Sequence, residues 1–196
     1  MDNNYEIADF FTGYAAGGHS LPEPWLETHV LPYIPSNIKF VVDFGCANGR
    51  NFQPFKDYKC IGFDMYQPNE INYSQDFQYY VSSIEDFTNN PDLYPIEWEN
   101  SLVMSHGTLM YCLNTRAQNK FLKIIKNKGC ENFVFHEYTS DRLLKNGNLS
   151  ERARNNGLGW LKLNRLNLKL FKPPLGKKIN FRDEENDMNA LIHLQK

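Results

Sequence analysis

Five short apolar runs between residues 39 and 136 constrain this chain more than any other feature of its sequence. They are 39–43, 59–64, 78–82, 101–105 and 132–136, each rich in Val, Ile, Phe or Tyr and each of strand length. Segments of helical spacing separate them. The clearest spans Thr115 to about Asn127, where Phe121, Leu122, Ile124 and Ile125 form an apolar stripe. Thr115 and Gln118 have the spacing of a capping box, and Lys126, Lys128 and Gly129 have the composition of a helix end. Strands alternating with helices in this way predict an α/β fold with a mostly parallel sheet and helices on both faces. Two later stretches alternate apolar and polar residues: Leu166, Leu168 and Leu170, then Met188, Ala190, Ile192 and Leu194. They are read as late strands, an antiparallel pair at the sheet edge, in a sheet of about seven strands.

At 196 residues the chain is long enough to bury one core, and residues 1–196 are read as a single domain. Pro24 marks the start of a short helix whose Leu26, His29, Val30 and Tyr33 share one face, with Pro32 and Pro35 ending it. Residues 1–22, with adjacent glycines at Gly17 and Gly18, are expected to form a flexible N-terminal loop or lid. Residues 139–165 are expected to cap a substrate, with a short helix over 149–156. The 21 basic and 23 acidic residues leave a net charge of −2 and no basic stripe, which argues against a nucleic-acid partner. No stretch reaches the roughly 18–20 apolar residues of a membrane span, and none resembles a secretory signal, so a cytoplasmic protein with no membrane partner is expected. Cys46, Cys60, Cys112 and Cys130 form no C-x-x-C pair and have no histidine at ligand spacing. They read as reduced, buried thiols, and no metal site is expected.

The segment most informative about function is Val41-Val42-Asp43-Phe44-Gly45-Cys46-Ala47-Asn48-Gly49-Arg50, which follows a strand and is read as opening a helix. Gly45, Ala47 and Gly49 place small residues at alternate positions of a tight turn, where backbone approaches a ligand. A dinucleotide site has the spacing G-x-G-x-x-G, with pyrophosphate on the helix N-terminus. Here the spacing differs, and Asp43 precedes the first glycine by two residues. An anion there repels pyrophosphate and suits an ammonium or sulfonium group. That favours S-adenosylmethionine over NAD.

This segment resembles the first motif of the class I S-adenosylmethionine-dependent methyltransferases, and Asp64, 21 residues after Asp43, resembles their second. The resemblance covers roughly residues 25–138. It implies a Rossmann-like, doubly wound sheet and S-adenosylmethionine as cofactor. It implies Asp43 near the methionine moiety, with Gly45, Cys46, Ala47 and Gly49 in the loop beneath. Asp64 would take the ribose and Met65 would pack on the adenine. Ser83 stands where the family often has an acid, with Ile84 as an apolar wall; Glu85 is the alternative acid. Ser105 opens the segment that lines the gap between cofactor and acceptor.

Methyl transfer needs the acceptor positioned and, for a hydroxyl, a base. His106 is the first candidate because it follows the fourth strand at the carboxyl edge of the sheet, where ligands bind. His136 and Glu137, at the end of the fifth, are the next catalytic candidates, and both equally suit anchoring a turn. Tyr14, His19 and Tyr111 are candidate walls of the substrate pocket, whereas His29 and His193 read as packed or without a chemical role. The expected activity is methylation of a small molecule with a hydroxyl or carboxylate acceptor. The alternatives are a non-catalytic S-adenosylmethionine-binding or regulatory module, or a nucleotide-dependent oxidoreductase.

Overall fold

The computed structural model describes residues 21–66, 77–109, 115–137, 179–183 and 188–194, and at 115, 179–183 and 188–191 it describes the backbone. Five strands are parallel: β1 (Phe40–Phe44), β2 (Lys59–Asp64), β3 (Phe77–Val81), β4 (Ser101–His106) and β5 (Asn132–Glu137). Two more, β6 (Ile179–Asp183) and β7 (Met188–His193), complete a seven-stranded sheet of order β3-β2-β1-β4-β5-β7-β6. β7 runs antiparallel to β5, and β6 antiparallel to β7.

Burial on both faces explains why the central strands read as continuous apolar runs. In β1, Val42 and Phe44 join one core while Val41 joins the other; Val103 and Leu102 divide likewise in β4, and Phe133, Phe135 and Val134 in β5. Each strand therefore alternates its side chains between two cores. The first core is closed by α2 (Ile84–Asn89), through Ile84 and Phe87, and by α3 (Thr115–Asn127), through Phe121, Leu122 and Ile125. The second is closed by α1 (Trp25–His29), through Leu26, with Val30 just beyond it, and by Phe52 and Phe55 of a 3-10 helix over Arg50–Phe55. At the end of α3 the Gly129 N–H donates to the Lys126 carbonyl and the Cys130 N–H to the Ile125 carbonyl. That pairing is a Schellman motif, which needs the positive φ of +90° that Gly129 adopts.

Three expectations are corrected. Thr115 lies inside α3, and the Gln118 amide donates to the Leu109 carbonyl at 3.0 Å, so these two residues do not form a capping box. The box belongs to α2, where the Ser83 hydroxyl accepts from the Asp86 N–H and the Asp86 side chain accepts from the Ser83 N–H. The segment after Gly49 is a six-residue 3-10 helix because Pro54 lies inside it. Pro54 has no N–H for an α-helical bond, and its ring clashes with the carbonyl four residues back. Tyr33 is 52% exposed, since Pro32 turns residues 31–33 into a 3-10 turn that leaves the face of Leu26 and Val30. The 188–194 strand forms as read, with partner 179–183; the 166–170 stretch, the 139–165 cap and the 149–156 helix lie outside the described residues.

Candidate functional site

The ends of β1, β2, β4 and β5 bring Asp43, Asp64, Ser105, His106, His136 and Glu137 to the carboxyl edge of the parallel sheet. Below them runs the loop 45–49, with φ of +80° at Gly45, +48° at Ala47 and +79° at Gly49. The loop is tied to β2: the Gly45 and Cys46 N–H groups donate to the Phe63 carbonyl at 2.7 and 3.1 Å. The Ala47 N–H donates to Asp64 Oδ2 at 2.9 Å. Gly45 is required at its position twice over. Its φ disfavours a side chain, and a Cβ would stand 1.8 Å from Thr108 Oγ1 in the loop after β4.

Asp43 is 1% exposed, and among the described residues neither of its carboxylate oxygens has a hydrogen-bond partner. Burial first, then the Asp64 and Glu137 charges, raise its pKa to about 8 against a lowering by Arg50. It lines a pocket with Trp25, Asn51, Ser105 and His106. A buried, unsatisfied acid is costly, and a cation placed beside it removes the cost. Burial also raises the pKa of Asp64, against lowering bonds from the backbone of Ala47, Tyr66 and Met65. Burial and the Asp43 and Asp64 charges push the Cys46 thiol well up, so it stays neutral.

Glu137 is fully buried, and its Oε1 accepts from Ser105 Oγ at 2.6 Å, from the Thr108 N–H at 3.1 Å and from the Leu109 N–H at 3.0 Å. This carboxylate anchors the loop after β4, the turn-anchoring role it equally suited, and Ser105 is committed to it. Ser83 caps α2 and Ile84 packs in the first core, so the structure gives both a structural duty. Met65 is 49% exposed beside Asp64. Tyr14, His19 and Tyr111 lie outside the described residues.

His106 and His136 face each other across β4 and β5 with Nδ1 to Nδ1 at 3.0 Å. Sequence reasoning missed their neighbour: Glu23 Oε1 is 3.7 Å from His106 Nε2 and accepts from Arg50 Nη2 at 2.7 Å. Arg50 Nη1 also donates to the Leu21 carbonyl, and Asn51 Oδ1 accepts from the Glu23 N–H. Residues 21–25 are thus strapped onto the carboxyl edge by the segment after the glycine loop. Glu23 lies 83 positions before His106, and no local pattern marks it. The Trp25 ring stands edge-on to His136, with centroids 4.8 Å apart.

No protein-family model and no curated protein matches the sequence. Solved structures do. The N-methyltransferase NodS from Bradyrhizobium japonicum WM9, in complex with S-adenosyl-l-homocysteine, superposes with TM-score 0.64 at 14% identity over 98% of this chain and 97% of that one. A protein from Pyrococcus horikoshii OT3 gives TM-score 0.56 at 13% identity, covering 87% of this chain and 88% of that chain. A SAM-dependent methyltransferase from Methanosarcina mazei gives 0.55 at 10% identity, covering 90% and 100%. The chain has the fold of the class I S-adenosylmethionine-dependent methyltransferases.

Proposed function

We propose that the protein is an S-adenosylmethionine-dependent methyltransferase acting on a small molecule that carries a hydroxyl or a carboxylate. The observation that carries this reading is Asp43: a buried carboxylate without a partner among the described residues, above a glycine loop, in a fold shared with such enzymes. The residues fit the cofactor. Asp43 offers its charge to a cationic methionine end. The 45–49 backbone leaves room for close approach, and Asp64, which also ties down Ala47, offers oxygens to the ribose hydroxyls.

The bound cofactor supplies an activated methyl group for in-line displacement. The protein's work is then positioning and exclusion of water. Glu137 holds the loop after β4 against Gly45, so the cofactor side and the acceptor side keep a fixed separation. His106, partly exposed and lining the Asp43 pocket, is the group that meets the acceptor's proton. The net charge of −2 supports a small acceptor over nucleic acid. Buried Cys46 and Cys130, which form no disulfide among the described residues, support a reducing compartment, the cytoplasm. Among the described residues no helix is long and apolar enough to cross a membrane.

Thermal unfolding with S-adenosylmethionine, S-adenosylhomocysteine and NAD tests the reading. Either sulfur compound at about a hundred times its Kd stabilises by about 2.7 kcal/mol, a rise of about 5–10 °C for a chain of this size. NAD gives no rise, and Asp64→Ala loses the rise while staying folded. Absence of a shift with both sulfur compounds overturns the proposal.

A further inference from the structure

We propose that Glu23, His106 and His136 form a binding site for one divalent transition-metal ion at the acceptor end of the pocket. Each residue offers one ligand atom, and these atoms all lie within 4.8 Å of one another. His106 and His136 are register partners on adjacent parallel strands, so their rings leave the sheet on the same side. Their Nδ1 atoms are 3.0 Å apart. Two nitrogens about 2.1 Å from one ion would be about 3.0 Å apart at an octahedral right angle and about 3.4 Å apart at the tetrahedral angle, so a small ring movement serves either.

The surroundings are built to hold these groups. Trp25 packs on the His136 ring, and Asn51 and Arg50 fix the backbone and the carboxylate of Glu23. The arginine occupies one lone pair of Glu23 Oε1, and a carboxylate has about four such sites, so an ion and a guanidinium can share it. Glu23 and His136 are buried, while the His106 side chain is 19% exposed, which leaves an open side for water or a ligand oxygen. Two imidazoles and one carboxylate select zinc, iron, cobalt or nickel over magnesium or calcium. The sequence expectation of no metal rested on cysteine spacing, which cannot register three ligands drawn from positions 23, 106 and 136.

The binding itself is independent of the methyltransferase reading; the ion's role rests on it. His106 also lines the Asp43 pocket. A divalent ion on His106 would bind an acceptor oxygen and lower the pKa of its proton. With the ion bound, His106 would hold the ion and the acceptor's proton would pass to water at the exposed side of the site.

The test is a titration of the chelator-treated full chain with Co2+, followed by visible absorption and competition with Zn2+. One equivalent binds with a d–d band, and Zn2+ displaces it. His106→Gln and His136→Gln lose the band, Glu23→Gln weakens binding at least tenfold, and His29→Gln leaves it unchanged. Near-UV circular dichroism checks each fold; should His136→Gln not fold, the partly exposed His106→Gln carries the comparison. No one-equivalent site in the wild-type chain overturns the proposal, as does a band that survives in folded His106→Gln. The S-adenosylhomocysteine thermal shift is measured on the same samples. A metal band without that shift rejects the methyltransferase reading alone, and the shift without a band rejects the metal site alone.

Discussion

The two ends of the pocket are made differently. The Asp43 end comes from one contiguous stretch, β1 through the end of β2, in which the strand, the glycine turn and Asp64 follow one another within 22 residues, 43–64. The imidazole end is gathered from positions 23, 106 and 136, in the segment before α1, at the end of β4 and in β5. The first end is a buried acid without a partner among the described residues; the second is a cluster whose members face one another. Local chain geometry marks the first end in the sequence; of the second, His106 and His136 are marked by their strand ends, and Glu23 by no local pattern. The ends meet where Thr108 packs on Gly45, so substitutions there and around it separate what each contributes.

The largest effect is expected at Glu137. Glu137→Ala leaves the buried Leu109 N–H, the partly buried Thr108 N–H and the Ser105 hydroxyl without their acceptor. It should cost about 3–5 kcal/mol in urea unfolding, whereas Glu137→Gln, which keeps an acceptor oxygen, should cost about 1 kcal/mol. Next is Gly45→Ala, which adds positive-φ strain to a clash with Thr108 and should cost about 2–4 kcal/mol. Pairing it with Thr108→Ala should recover part of that loss, a coupling that shows the two ends touch.

Asp43→Asn is expected to act in the opposite direction on the ligand-free protein. The ordinary pKa is 3.8 and the folded value about 8, so between them the folded state holds the extra proton. Stability therefore falls as pH rises from about 4 to about 8, because the unfolded state releases that proton first. Asp43→Asn should remove this decline and stabilise the ligand-free chain at pH 8 by about 1–3 kcal/mol, read from unfolding midpoints across pH. A variant that is less stable at pH 8 contradicts the account of Asp43. The smallest effect is Ala47→Gly. It relieves a φ of +48° and adds chain entropy, for a net change within about 0.5 kcal/mol.

The same division governs how much was legible. β2 and α3 form over the residues read for them, because apolar period and length suffice when both faces of a strand or one face of a helix are buried. The turn after Asp43 was legible because small residues at alternate positions after a strand mark a tight loop, which forms with φ of +80°, +48° and +79° at Gly45, Ala47 and Gly49. Gln118 was misread because its amide finds the Leu109 carbonyl, a partner outside the helix that spacing cannot reveal. The 3-10 helix at Arg50–Phe55 follows from Pro54, a signal that the strength of the glycine motif overrode. Glu23 was missed because its partners, Arg50 and His106, are 27 and 83 residues away, and only the strapping of residues 21–25 onto the sheet edge brings them together.

Titration calorimetry with S-adenosylmethionine across pH 6 to 9 tests Asp43 as the buried acid that takes the cation. One equivalent should bind. Below pH 8 the ligand must displace the Asp43 proton, so Kd should fall about tenfold per pH unit up to about 8 and then level off. In Asp43→Asn that slope should vanish and binding should weaken. No binding at any pH, or a wild-type Kd that is flat across the range and equal to that of the variant, contradicts that role.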